Sequence, residues 1–130
     1  MNLYLPDTHA VFWYEFRDAK LSNAAAQVFE DAQAGRALLV IHPVVLAEFY
    51  WLLKKANLHS SFKPYVQFVR SNPIYRLETI LIDDILRLEE FAEIPEMHDR
   101  LIAIAADRLG ATVITKDSEL QASSKVKCIW

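Results

Sequence analysis

ALLVIHPVVLAEFYWLL, residues 37–53, is the most apolar stretch of the chain and the one on which the fold turns. Its first five residues form a continuous aliphatic run, the pattern of a strand buried on both faces rather than one with a solvated side. His42 and Pro43 close that strand, and Pro43 suits the first turn of a helix, where a missing N–H costs nothing. The helix then runs through VVLAEFYWLLKKA and places Glu48 on the same side as Val44, Val45 and Leu52. A carboxylate on an apolar face requires a cation, a hydrogen-bond network or an opening to water.

The same strand-then-helix unit recurs along the chain. Asn2–Pro6 reads as a short strand and Thr8–Phe16 as an aromatic-rich helix, with Asp7 or Thr8 as its cap. Ser22 caps a helix that ends at Gly35. Ser60 or Ser61 opens another, with Pro64 in its first turn and Asn72-Pro73 at its end. Residues 74–82 alternate as a strand does, Asp83 caps a helix over 84–94, and Pro95 breaks the pattern before a loop through Glu96, Met97 and His98. Asp99 opens a helix that stops at Gly110. Ala111–Thr115 is a strand, 116–124 a loop and 126–130 a last strand. Strands alternating with helices predict an α/β domain with a mostly parallel central sheet flanked by helices.

The chain's 130 residues, 53% of them hydrophobic, suffice for one domain spanning 1–130 with its own core. Two glycines and no low-complexity segment leave no place for a linker. A net charge of −3 supplies no global basic field, so nucleic-acid contact would need local Lys and Arg together with bound metal. The single cysteine, Cys128, excludes an intrachain disulfide and reads as a core residue. Residues 37–53 fall short of the about 20 apolar residues that a membrane span requires. Asp7 arrives too early for a signal peptide, and the expectation is a cytoplasmic protein without a membrane partner.

Three further acids occupy places comparable to that of Glu48. Asp7 ends the first apolar run, Asp99 opens DRLIAIAADRLG, and Asp117 follows TVITK. Each has an ordinary explanation: Asp7 and Asp99 as helix caps, Asp117 as a turn residue. Glu48 has the weakest of these, since a core-facing helix seldom holds a lone carboxylate. If the sheet order draws the four together, their hard oxygens suit Mg²⁺ or Mn²⁺ and not zinc, for which no Cys or His cluster exists. His9, one turn into the first helix, is within reach of such a site, but a surface or packing role is the first reading for it and for His98 beside Asp99. Lys54, Lys55, Arg100 and Lys116 are candidate phosphate contacts, weighed against ordinary solvated charge. Two other architectures fit less well. A haloacid-dehalogenase-like phosphatase needs a second aspartate where His9 stands, and a receiver domain needs an N-terminal acidic pair that is missing.

LPDTHAVFW, VLAEFYWLL, DRLIAIAADRLGATVITKD and the closing KVKCIW together resemble the PIN-domain ribonucleases, in particular the VapC-type toxins of bacterial toxin–antitoxin modules. The resemblance spans nearly the whole chain. It implies a PIN-like three-layer fold and an acidic metal site at Asp7, Glu48, Asp99 and Asp117, with Thr115 as the hydroxyl neighbour. It further implies Mg²⁺- or Mn²⁺-dependent hydrolysis of RNA phosphodiesters, a cognate antitoxin whose tail covers the acids, and a homodimer. Many relatives carry a Pro-Phe or similar pair before the third acid, where this chain has Met97-His98. A non-catalytic PIN-like module that binds RNA or protein is the competing function. Asp83 reads as a cap and Asp107 as a solvated residue. The adjacent aromatics Phe12, Trp13, Tyr14, Phe16, Phe49, Tyr50 and Trp51 exceed what one core face can hold, which favours an interface.

Overall fold

The computed structural model describes residues Met1–Trp130. Five strands, β1 (Asn2–Pro6), β2 (Ala37–Ile41), β3 (Tyr75–Leu77), β4 (Thr112–Ile114) and β5 (Cys128–Ile129), form an all-parallel sheet in the order β3-β2-β1-β4-β5. Seven α-helices flank it: α1 (Thr8–Glu15), α2 (Asn23–Gln33), α3 (Pro43–Lys55), α4 (Phe62–Ser71), α5 (Ile82–Leu86), α6 (Met97–Leu109) and α7 (Ser118–Ala122). This is the PIN-like α/β architecture expected. No helix is long and apolar enough to cross a membrane.

The aliphatic runs explain the central strands. Leu5, Leu39, Val40, Val113 and Ile114 are fully buried and join Phe29, Phe49, Phe91 and the α6 residues Ile102–Ala106 in one core. His42 caps α3 through Nδ1, which accepts from the Val44 amide at 3.1 Å, and Pro43 occupies the first turn. Gly110 ends α6 at φ 67°, a left-handed conformation open to glycine at no steric cost.

Several boundaries depart from expectation. The third strand covers only Tyr75–Leu77, because the alternation beyond it belongs to an exposed loop and not to a half-buried face. The helix expected over 84–94 divides into α5 and a 3₁₀ turn at Leu88–Phe91. Leu81 is its N-cap residue, so Asp83 is an exposed first-turn residue rather than the cap, and it is Asp84 that lies buried. Helix α6 begins at Met97, capped by Glu96, so Met97 and His98 are helical and Asp99 sits inside the first turn. Asp117 caps the short α7, where a loop was expected. Asp107 is half-exposed but paired, its carboxylate 2.7 Å from Arg87 Nη2.

The strand order carries the functional consequence. Chain growth runs outward from β1 to β2 and β3, then returns to the other side of β1 as β4. The reversal lies between β1 and β4, and a crevice opens outside the carboxyl ends of such strands. Asp7 follows β1, and Thr115 to Asp117 follow β4.

Candidate active site

At the end of β1 the backbone of Asp7 stays extended, and its amide donates to the Ile114 carbonyl at 3.0 Å. Asp7 Oδ1 accepts from the Ala10 amide at 2.9 Å and so caps α1, while Oδ2 accepts from Thr115 Oγ1 at 2.5 Å. Thr115 is fully buried, and its hydroxyl oxygen in turn accepts from the Asp117 amide at 3.0 Å. Asp117 Oδ1 accepts from the amides of Glu119 and Leu120 at 2.8 and 3.1 Å. One hydroxyl therefore ties together the acids at the ends of two neighbouring strands.

Glu48 reaches the same place from α3. Its Oε1 accepts from Thr8 Oγ1 at 2.7 Å, and its Oε2 lies 3.6 Å from His98 Nδ1, which is also 3.5 Å from Glu96 Oε1. The Glu48 side chain is 42% exposed. Of the explanations available for a carboxylate in so apolar a segment, an opening to water and a hydrogen-bonded hydroxyl are the ones realised. Asp99 comes from the first turn of α6, where the helix dipole favours a negative charge, and its amide donates to Glu96 Oε2 at 3.0 Å.

All four acids line one open groove of about 510 Å³, together with Thr8, His9, Trp51, Lys55, Glu96 and His98. Burial pushes the Asp7 carboxyl above its ordinary value, against the opposing hydrogen bonds from Thr115 and Ala10. Asp99 is pushed up to about 6, first by burial and then by the charges of Asp117, Glu96, Glu48 and Asp7. Mutual repulsion of this kind means that the four share one electrostatic environment. No three His, Cys, Asp or Glu side chains are gathered into a ready-made metal shell. The donor set nonetheless suits a hard cation in kind: all-oxygen, clustered on one groove, and destabilised by its own charge.

The sequence did not single out Thr8, which orients Glu48, and it assigned His9 and His98 to surface or packing roles, whereas both line the groove. Arg100 is committed elsewhere, donating to the carbonyls of Leu88, Ala92 and Ile94.

Compared with known families, residues 4–125 match the model of the PIN domain. The chain belongs to the PIN domain family. Solved structures similar to this PIN domain include VapBC2 from Rickettsia felis bound to a DNA fragment from its promoter, at 17% identity and TM-score 0.73 with 98% of each chain covered. A toxin–antitoxin complex from Klebsiella pneumoniae follows at 17% identity and TM-score 0.67, covering 97% of this chain and 95% of that one. Mycobacterium tuberculosis VapC20, a sarcin–ricin loop cleaving toxin, is 14% identical at TM-score 0.68, with 95% of each chain covered. At such identities these likenesses establish the fold alone. No curated protein matches the sequence.

Proposed function

We propose that this PIN domain is a divalent-metal-dependent endoribonuclease acting as the toxin of a toxin–antitoxin pair. The observation that carries the reading is the convergence of Asp7, Glu48, Asp99 and Asp117 from four separate elements on one groove. Toxins and toxin–antitoxin complexes among the similar structures support it.

Asp7 and Asp99 are the proposed direct ligands of Mg²⁺ or Mn²⁺, with Glu48 and Asp117 placed to hold water around it. When bound, the ion supplies Lewis-acid activation of water and positive charge facing the scissile phosphate. The protein's own contribution is preorganisation. Thr115 and the Ala10 amide fix the Asp7 carboxylate, Thr8 fixes that of Glu48, and two helix amides fix that of Asp117. Glu48, half in solvent, can accept a hydrogen bond from the attacking water and hold it in line.

Purified protein should cleave RNA with Mg²⁺ or Mn²⁺, lose activity in EDTA, and fail with Ca²⁺, whose looser and longer coordination misplaces the attacking water. Elemental analysis should find no stoichiometric zinc. Zinc-dependent cleavage would overturn the metal assignment. The competing function is a module that binds RNA or protein without cutting. RNA binding with no cleavage under any divalent ion would establish that alternative.

The toxin reading brings two partners. An antitoxin tail with Arg or Lys would pair with the four acids, displacing the metal's charge and blocking RNA at once. Overproduction of active protein without an antitoxin should then arrest growth. The second partner is another copy of the chain. Most of the crowded aromatics pack inward, leaving Phe16 and Trp51 exposed, but an apolar surface that the sequence did not reveal lies beside edge strand β3. There Ile82 and Leu86 are 75% and 76% exposed, next to Leu77, Ile80, Leu81 and Ile85. We infer that a homodimer buries this surface. Light scattering at micromolar concentration should give a dimer mass, and Ile82→Lys with Leu86→Lys should give a monomer. A monomeric wild-type protein would remove the dimer from the proposal.

A further inference from the structure

A second hollow, of about 440 Å³, adjoins the acidic groove and shares Asp7, His9 and Asp117 with it. Its remaining walls are Trp13, Trp130, Lys20 and Lys116. Trp13 is the floor: only 8% exposed, it is held between the His9 ring at 5.2 Å and the Trp130 ring at 5.8 Å. Two ammonium groups converge on that one indole. Lys116 Nζ lies 4.8 Å and Lys20 Nζ 5.9 Å from its ring. Lys116 forms no ion pair, and the sole carboxylate paired with Lys20 is that of Asp18, at a loose 3.9 Å. Two cations that line one hollow repel each other and are stabilised by an anion bound there.

The acidic groove itself repels a polyanion, in a chain whose net charge is already −3. Beyond the charge a bound ion would supply, affinity for a nucleic-acid backbone comes from the flanks of the groove. Resting on the nuclease reading above, we propose that the Trp13 hollow is a phosphate subsite in which Lys116 and Lys20 bind the RNA backbone phosphate adjacent to the one that is cut. The strand would cross the acids and leave over Trp13 and Trp130. The groove's own lining adds Trp51 and Lys55, a further aromatic and cationic pair, from α3.

The test uses a fluorescein-labelled single-stranded oligoribonucleotide of mixed sequence, with anisotropy read in EDTA so that nothing is cut. Both lysines are exposed, so Lys20→Gln with Lys116→Gln should fold as the wild type does. The double variant should bind about tenfold more weakly, and its slope of log affinity against log salt should be shallower by about 0.7, the value for one fewer neutralised phosphate on a single strand. Lys20→Arg with Lys116→Arg should restore both. In the cleavage assay with Mn²⁺, KM should rise by a similar factor while kcat changes less than about twofold. Unchanged affinity and salt slope would overturn the subsite. So would a fall in kcat at constant affinity, which would make Lys116 a counter-charge to Asp7 and Asp117 rather than a group that holds substrate. Wild-type protein that binds RNA through these lysines and never cuts it would keep the subsite and remove the nuclease. Cleavage that ignores the lysines would do the reverse.

Discussion

Asp99→Asn is expected to lower RNA cleavage by at least about a hundredfold, the scale on which loss of a preorganised charged group in an active site is felt, and at the same time to make the protein harder to melt. The two effects share one cause. Asp99 titrates at about 6 in the folded protein because burial and four neighbouring acids disfavour its charge. A carboxyl raised above its unfolded value lowers stability progressively as pH rises between the two values, and the penalty is complete above about 6. Discounted for its partial exposure, that penalty is of order 1 kcal/mol. Removing the charge should raise Tm by roughly 3–5 °C at pH 7.5 in EDTA, with the gain fading toward pH 4. Asp7→Asn should also abolish cleavage but bring no such gain, since an amide has one accepting oxygen where the carboxylate uses both, one for the Ala10 amide and one for the Thr115 hydroxyl. Glu48→Gln should abolish cleavage while keeping the Thr8 bond through its remaining carbonyl. Full activity in all three variants would dismiss the site, and an unaltered Asp99→Asn melt would dismiss the electrostatic account.

Arg108→Met is expected to cost about 3 kcal/mol, the low end of the range for removing one partner of a buried ion pair, since the guanidinium side chain keeps 26% of its surface in solvent. Arg108 donates to both oxygens of Asp84 at 2.8 and 2.9 Å, and the Asp84 side chain is 1% exposed. Burial pushes the Asp84 carboxyl up, but the Arg108 pair and the Leu81 amide outweigh it and hold it below the ordinary carboxylate range. Glu78 stands 3.7 Å from the same guanidinium, and His42, driven down to about 4 by burial, stays neutral at physiological pH and offers no replacement charge. Calorimetry at neutral pH should show Tm lower by more than about 10 °C. Stability from a depressed carboxyl is present above its unfolded pKa and lost as pH falls through the folded one, so wild type and variant should converge in acid. Adding Asp84→Leu should recover much of the loss, because the stranded charge is then gone. A single-variant cost under about 1 kcal/mol would show that the pair behaves as an exposed surface pair and not as a buried link between α5 and α6.

The difference between what the sequence revealed and what it hid is physical. Strand β2 was legible to the residue because its continuous aliphatic run ALLVI ends abruptly at His42-Pro43, and β1 because the short NLYLP segment ends at Asp7. Glu48 stood out because its neighbours were so apolar, and the positions of Asp7 and Asp117 followed from the strand ends. Edge strand β3 was overextended because alternation in YRLETILI mimics a half-buried face that the fold never covers. The start of α6 was misplaced because glutamate is a less common cap than aspartate, so Asp99 drew the assignment that belongs to Glu96. Helix α7 spans five residues, too few to show a period. The Asp84–Arg108 pair, the bond from Thr8 to Glu48 and the placement of Lys116 over Trp13 join residues far apart in sequence, and no local pattern encodes them.

The pairing of β1 with β4 also governs when the groove can be completed during synthesis of the chain. Asp7 and Glu48 are made well before the strand that fixes Asp7 from its other side, and before Thr115 and Asp117. At about 5–20 residues per second, the nascent chain spends several seconds with half its acids and no cleft. Such long-range closure also slows folding, since loop entropy must be overcome before any contact between β1 and β4 rewards it. Under the proposed nuclease function, a chain that still lacks β4 has no completed groove with which to cut RNA at the ribosome.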